Sequence, residues 1–203
     1  MERLESGPGG WLIQGAGELW RDGTTARFLD AIVAGNLPEE AFRRWLAQDY
    51  FFAKGLVAYQ ALTLAKAPRD CHGPLVAGLG ALDNELSWFE GHAARLGLSL
   101  DAEPLPACRA YTDFLMRSAT SQPLPVLLAI LFGVEASYLA AWSALRPQGP
   151  YAEFIERWSN PEFGAYVASL GRLADRYRHE ASQAYFNRVL EHERDFWAMT
   201  WSG

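Results

Sequence analysis

The chain has 203 residues, half of them hydrophobic and 13% aromatic, enough for one domain with a substantial core. Eighteen basic residues against twenty-four acidic ones give a net charge of −6, and Lys54 and Lys66 are the only lysines, so no basic stripe can follow a phosphate backbone and nucleic acid is excluded as a partner. Cys71 and Cys108 form no CxxC pair or metal-ligand cluster, and the opening MERLESGPGG lacks the basic-then-apolar layout of a secretory leader, so a cytoplasmic protein with reduced thiols is expected.

In chain order, residues 1–17 carry five glycines and read as a loose arm, followed by one helical domain over 18–203. Proline and glycine punctuate long segments of helical periodicity, and no window alternates apolar and polar residues as a half-buried strand would. The fold class is therefore all-α, a single bundle of about seven to eight helices. The spacing predicts helices over Glu18–Ala34, Glu39–Lys66, Pro74–Leu96, Leu105–Ser118, Pro125–Leu145, Tyr151–Trp158, Pro161–Tyr177 and His179–Trp201. GNLPEE stops one helix at Gly35 and starts the next after Pro38, and NPEF at Asn160 has the same cap-then-proline form. The longest apolar run, Leu124 to Val134, is about half of the roughly 20 residues a membrane span needs. It reads as a buried core helix, with no membrane partner.

Three carboxylates fall at spacings that look buried. Glu135, Tyr138 and Trp142 stand at i, i+3 and i+7, placing a carboxylate, a phenol and an indole on one helix face. That set suits a planar, nitrogen-rich ligand: rings stack on the aromatics while the carboxylate pairs with an amino group, and desolvation would raise its pKa toward acid/base use. A glutamate that simply reaches solvent or an arginine is the plainer alternative. Glu193, Phe196 and Trp197 repeat the pattern at i, i+3 and i+4, and two carboxylates in different environments can divide acid and base roles. Asp49, inside the apolar-periodic WLAQDYFF, is a poor helix-interior residue and invites a ligand amine or an interhelix bond. Glu85 and His92, two turns apart, could join Glu135 and Glu193 in a carboxylate-rich metal centre, but Val189 and Phe196 occupy the positions flanking Glu193 where further ligands would be wanted.

FLDAIVAGNLPEEAFRRWLAQDYFF, GVEASYLAAW, RWSNPEFGAYVASL and LEHERDFWAMTW, in this order and at these separations, resemble the TenA/thiaminase II family from about Glu18 to Trp201. The resemblance implies a haem-oxygenase-like bundle, a homo-oligomer (dimer or tetramer), and action on the pyrimidine part of thiamin or its breakdown products without haem, metal or another cofactor. Trp11 and Trp20, taken as exposed, would suit a subunit interface. Residue by residue, Asp49 matches the aspartate that holds the pyrimidine's ring nitrogens and amino group. Tyr111 and Tyr138 match pocket tyrosines, Glu193 the acid/base glutamate, and Phe196 the aromatic beside it. Phe52 and Trp158 stand where tyrosines are common.

The thiaminase II branch carries a nucleophilic cysteine at the position of Val134, and this chain has no cysteine after Cys108. Glu135, Tyr138, Ala141 and Trp142 instead resemble a second branch associated with salvage of aminopyrimidines. The resemblance thus implies a hydrolase acting on a 5-aminomethyl or N-formylaminomethyl pyrimidine, with Glu135 and Glu193 catalytic and Asp49, Phe52, Tyr111, Tyr138, Trp158 and Phe196 binding substrate. The alternatives are a metal-dependent oxidase of the same fold using Glu85, His92, Glu135 and Glu193, and a non-catalytic pyrimidine-binding regulatory protein.

Overall fold

A computed structural model describes residues 2–101 and 103–201, and among them no strand occurs. The all-α expectation is met. Contacts gather the chain into two compact units, Met1–Leu37 with Pro123–Ala198 and Pro38–Gln122 with Met199–Gly203.

The first unit opens with three short helices, α1 (Glu2–Glu5), α2 (Gly10–Ala16) and α3 (Glu18–Thr24), followed by α4 (Arg27–Ala34). Within the stretch expected to be a loose arm, Leu12 and Ile13 are buried, and the Gly9 amide donates to Asp175 Oδ2 at 3.1 Å. The single helix expected over 18–34 is split where Thr25 and Ala26 adopt extended backbone; at the end of α3, Thr24 and Thr25 turn their hydroxyls back onto the carbonyls of Trp20 (2.7 Å) and Arg21 (2.8 Å). Trp20 is buried at 4% exposure and stacks on Phe186, so it is not the exposed aromatic the sequence suggested. At the end of α4, Gly35 takes φ 68°, and the Asn36 amide returns to the Ala31 carbonyl at 3.0 Å.

The second unit is built on α5 (Glu39–Lys66), which packs against α6 (His72–Leu96) and α7 (Pro106–Ser121). Polar side chains, Gln60 and Gln48 buried and Lys66 exposed, tie these helices together. Gln60 Nε2 donates to the Leu75 carbonyl at 2.8 Å, the Leu105 amide donates to Gln48 Oε1 at 2.8 Å, and Lys66 Nζ donates to the Ala119 carbonyl at 2.6 Å.

The chain then returns to the first unit as α8 (Leu124–Ser143), α9 (Ala152–Ser159), α10 (Pro161–Arg176) and α11 (Ser182–Trp201), whose last three residues fall in the second unit. By length and composition α8, with mean hydropathy 1.9, could cross a membrane, yet 83% of that window is buried inside the protein. A helix apolar all round is a core helix. Asn160 caps α10 as its sequence foretells: Oδ1 accepts from the Phe163 amide at 2.8 Å, and Pro161 opens the first turn.

Candidate active site

Each unit assembles its own set of expected residues. In the first unit, Glu135 on α8 and Glu193 on α11 are 8% and 3% exposed. Carboxylates are seldom buried to this degree without a partner or a task. One turn beyond Glu135 stands Tyr138, and one turn beyond Glu193 stands Trp197; their rings stack nearly parallel, with centroids 5.9 Å apart and an interplanar angle of 12°. Trp158 of α9 meets Tyr138 edge-on at 5.3 Å and Trp142 at 5.1 Å, and Trp142 reaches Trp197 at 6.2 Å. Of these four rings only Tyr138 is half-buried; Trp142, Trp158 and Trp197 are buried. Phe196 is buried as well, its ring perpendicular to that of Trp197.

Trp197 is the residue that the sequence reading left out of the binding set, although its i+4 spacing from Glu193 placed it on the right face. The structure makes it the partner of Tyr138. Val134, at the position where a nucleophilic cysteine would stand, is a buried valine whose carbonyl accepts from Ser137 Oγ at 3.0 Å.

In the second unit Asp49 is 4% exposed on α5. Phe52, one turn on, packs its ring 4.6 Å from that of Tyr111 on α7. One turn before Tyr111 the Cys108 thiol donates to the Gln48 carbonyl at 3.4 Å. Burial, and then the Asp49 charge, push this thiol from 9.0 up to about 12. The sequence reading did not connect Cys108 with Asp49, because the two are joined only by the packing of α5 on α7. With its proton held so firmly Cys108 is a poor nucleophile.

The donor set that the oxidase alternative needs is not assembled: among the described residues no group of three or more His, Cys, Asp or Glu side chains could share an ion. His92 is buried with its ring 4.1 Å from Trp88, and Arg95 Nη2 approaches its ring nitrogens at 2.8 Å, which is an unfavourable neighbour for a metal cation.

Residues 16–203 match the sequence pattern of the TENA/THI-4/PQQC family. The chain belongs to this family. The match runs through both units. Among similar proteins, the "Probable bifunctional TENA-E protein" of Glycine max is 31% identical, covering 90% of this chain and 88% of its own length. The "Aminopyrimidine aminohydrolase" of Helicobacter pylori is 25% identical, with 94% of this chain and 97% of that protein covered. A TenA homologue from Pyrococcus furiosus, solved by X-ray methods, superposes with a TM-score of 0.89 at 29% identity over 94% of this chain and 98% of its own.

Proposed function

We propose that the protein is a hydrolase of thiamin-derived aminopyrimidines, cleaving the 5-aminomethyl group or its N-formyl precursor. The observation that carries this reading is the pair of buried carboxylates, Glu135 and Glu193, each one helical turn before a ring of the Tyr138–Trp197 stack. The reading also draws on the similarity to the Helicobacter pylori aminohydrolase. In the amine reaction water adds its oxygen to the methylene carbon as the carbon–nitrogen bond breaks, giving the hydroxymethyl pyrimidine and ammonia. One glutamate takes a proton from water and the other delivers one to the departing nitrogen. With the N-formyl compound the bond cut is the formyl amide, and formate leaves. Tyr138 and Phe196 supply apolar ring surface, Trp158 braces Tyr138, and water is excluded by the indoles around them. Asp49 is assigned recognition of the amino edge of the pyrimidine, with Phe52 and Tyr111 beside it as ring surface. The absence of cysteine after Cys108 speaks against covalent cleavage of thiamin itself.

The test presents thiamin, the 5-aminomethyl pyrimidine and its N-formyl derivative in parallel and follows ammonia, formate and products by mass spectrometry. Turnover of an aminopyrimidine with thiamin spared is expected. Glu193→Gln and Glu135→Gln should each lower kcat by roughly 10² to 10⁴ while retaining pyrimidine binding. Wild-type rates in both variants would end the assignment of these glutamates. Binding without turnover in the unaltered protein would favour the regulatory alternative.

A further inference from the structure

A glycine in the middle of a helix weakens it, since it brings no side chain and loses the most backbone freedom on folding. The buried core helix α8 nevertheless carries Gly133 at its centre. A Cβ placed there would lie 3.1 Å from Phe186 Cδ2 and 3.2 Å from Val189 Cγ1, both on α11. From a second side, a Cβ on Gly23 of α3 would lie 3.1 Å from Leu190 Cδ2 and from the Leu190 carbonyl oxygen. The same turn of α11 is gripped by rings: Phe186 stacks on Phe132 of α8 at 6.1 Å and on Trp20 of α3 at 6.2 Å. One turn of α11 is therefore seated where two neighbouring helices have given up their side chains.

Glu193 follows Val189 by four residues and Leu190 by three, on the same face of α11, and Trp197 follows one turn later. Helix α11 thus touches α8 at two heights, at Gly133 below and at the Tyr138–Trp197 stack above, and Glu193 falls between them. Because interaxial distance is set by the side chains at the contact, and because close-packed interiors pass displacements on rather than absorbing them, a methyl group at Gly133 makes Phe186 and Val189 give by a few tenths of an ångström and presses on α11 through them.

We infer that Gly133, assisted by Gly23, is a positioning residue that sets where Glu193 and Trp197 stand relative to Tyr138. In its catalytic consequence this rests on the hydrolase reading; in its geometry it does not. The experiment compares Gly133→Ala, Gly23→Ala, Val189→Ala and the double variant Gly133→Ala with Val189→Ala, which removes one of the two side chains that the new methyl meets. For Gly133→Ala a several-fold loss in kcat is expected, smaller than the roughly 10²-fold that a misplacement of about 1 Å can produce because the neighbouring side chains give by only tenths of an ångström, with KM little altered and thermal unfolding still cooperative. Val189→Ala in the same chain should restore part of the lost kcat, the Phe186 contact remaining. The part of the near-ultraviolet circular dichroism that Trp197→Phe removes, which isolates the Tyr138–Trp197 stack from the other tryptophans, should shift in Gly133→Ala and move back in the double variant, and this signal needs no substrate. If the unaltered protein turns over no aminopyrimidine, the hydrolase reading fails and the dichroism alone decides the positioning claim. A folded Gly133→Ala with unchanged kcat and spectrum, or a loss that Val189→Ala relieves in no part, overturns it; should Gly133→Ala not fold, Gly23→Ala is read by the same two signals, and no change in either overturns it.

Discussion

Cys108 reports on the surroundings of Asp49. Its thiol is inside the protein beside a carboxylate, and both the lost solvation and the negative neighbour disfavour the thiolate. The folded thiol keeps its proton up to about 12, against 9.0 for an ordinary one. Between those values the folded state binds more protons than the unfolded chain, so this group's contribution is fully present below pH 9 and is lost as pH rises toward 12. The unfolding free energy from urea titrations should accordingly fall between pH 8 and pH 10.5 more steeply in the unaltered protein than in Cys108→Ala, by at most about 1.4 kcal/mol per pH unit. Asp49→Asn should flatten the slope in part, since the Asp49 charge is the lesser of the two causes. Equal slopes in all three proteins would mean that the thiol is not held between α5 and α7 as the structure has it.

At the level of elements, punctuation made much of the helical order legible. Glu39–Lys66 is read to the residue because Pro38 can begin a helix and cannot continue one, and Asn160–Pro161 marks the start of α10 through a cap that needs only local sequence. The interruption at Thr25 escaped because apolar periodicity does not register two residues of extended backbone between helices, and threonine back-bonding does not mark it, since Thr63 makes the same bond to Tyr59 inside the unbroken α5. Likewise the grouping of candidate-site residues was legible where spacing on one helix sufficed, as for Glu135 with Tyr138, and illegible where two helices had to meet, as for Tyr138 with Trp197 or Asp49 with Cys108. The cap permits a quantitative check. Replacing Asn160 by Ala removes the acceptor for the Phe163 amide and should cost about 1 kcal/mol, a fall of roughly 2–4 °C in Tm for a chain of this size. A calorimetric scan that shows no fall would assign the stability of α10 to its packed face alone.

For the whole molecule, residues 2–15 pose the sharpest question, because they precede the family match yet are built into the first unit. Five glycines before residue 18 suggest chain freedom, but glycine also permits close backbone approach, and here the apolar residues among them decide the outcome. Leu12 is fully buried, Gln183 Nε2 donates to its carbonyl at 3.0 Å, and the Arg178 guanidinium lies 4.7 Å from the Trp11 ring centre. Two of these partners lie on or just before α11, the helix that carries Glu193. Leu12→Ala should therefore destabilise the protein by about 3 kcal/mol through the cavity it leaves, and a chain lacking residues 1–15 should melt lower still. If the glycine-rich stretch were only an arm, both proteins would melt with the unaltered chain. A lower Tm together with a retained kcat for the aminopyrimidine would show that the segment stabilises the unit without setting the position of Glu193, and so would separate its role from that of Gly133.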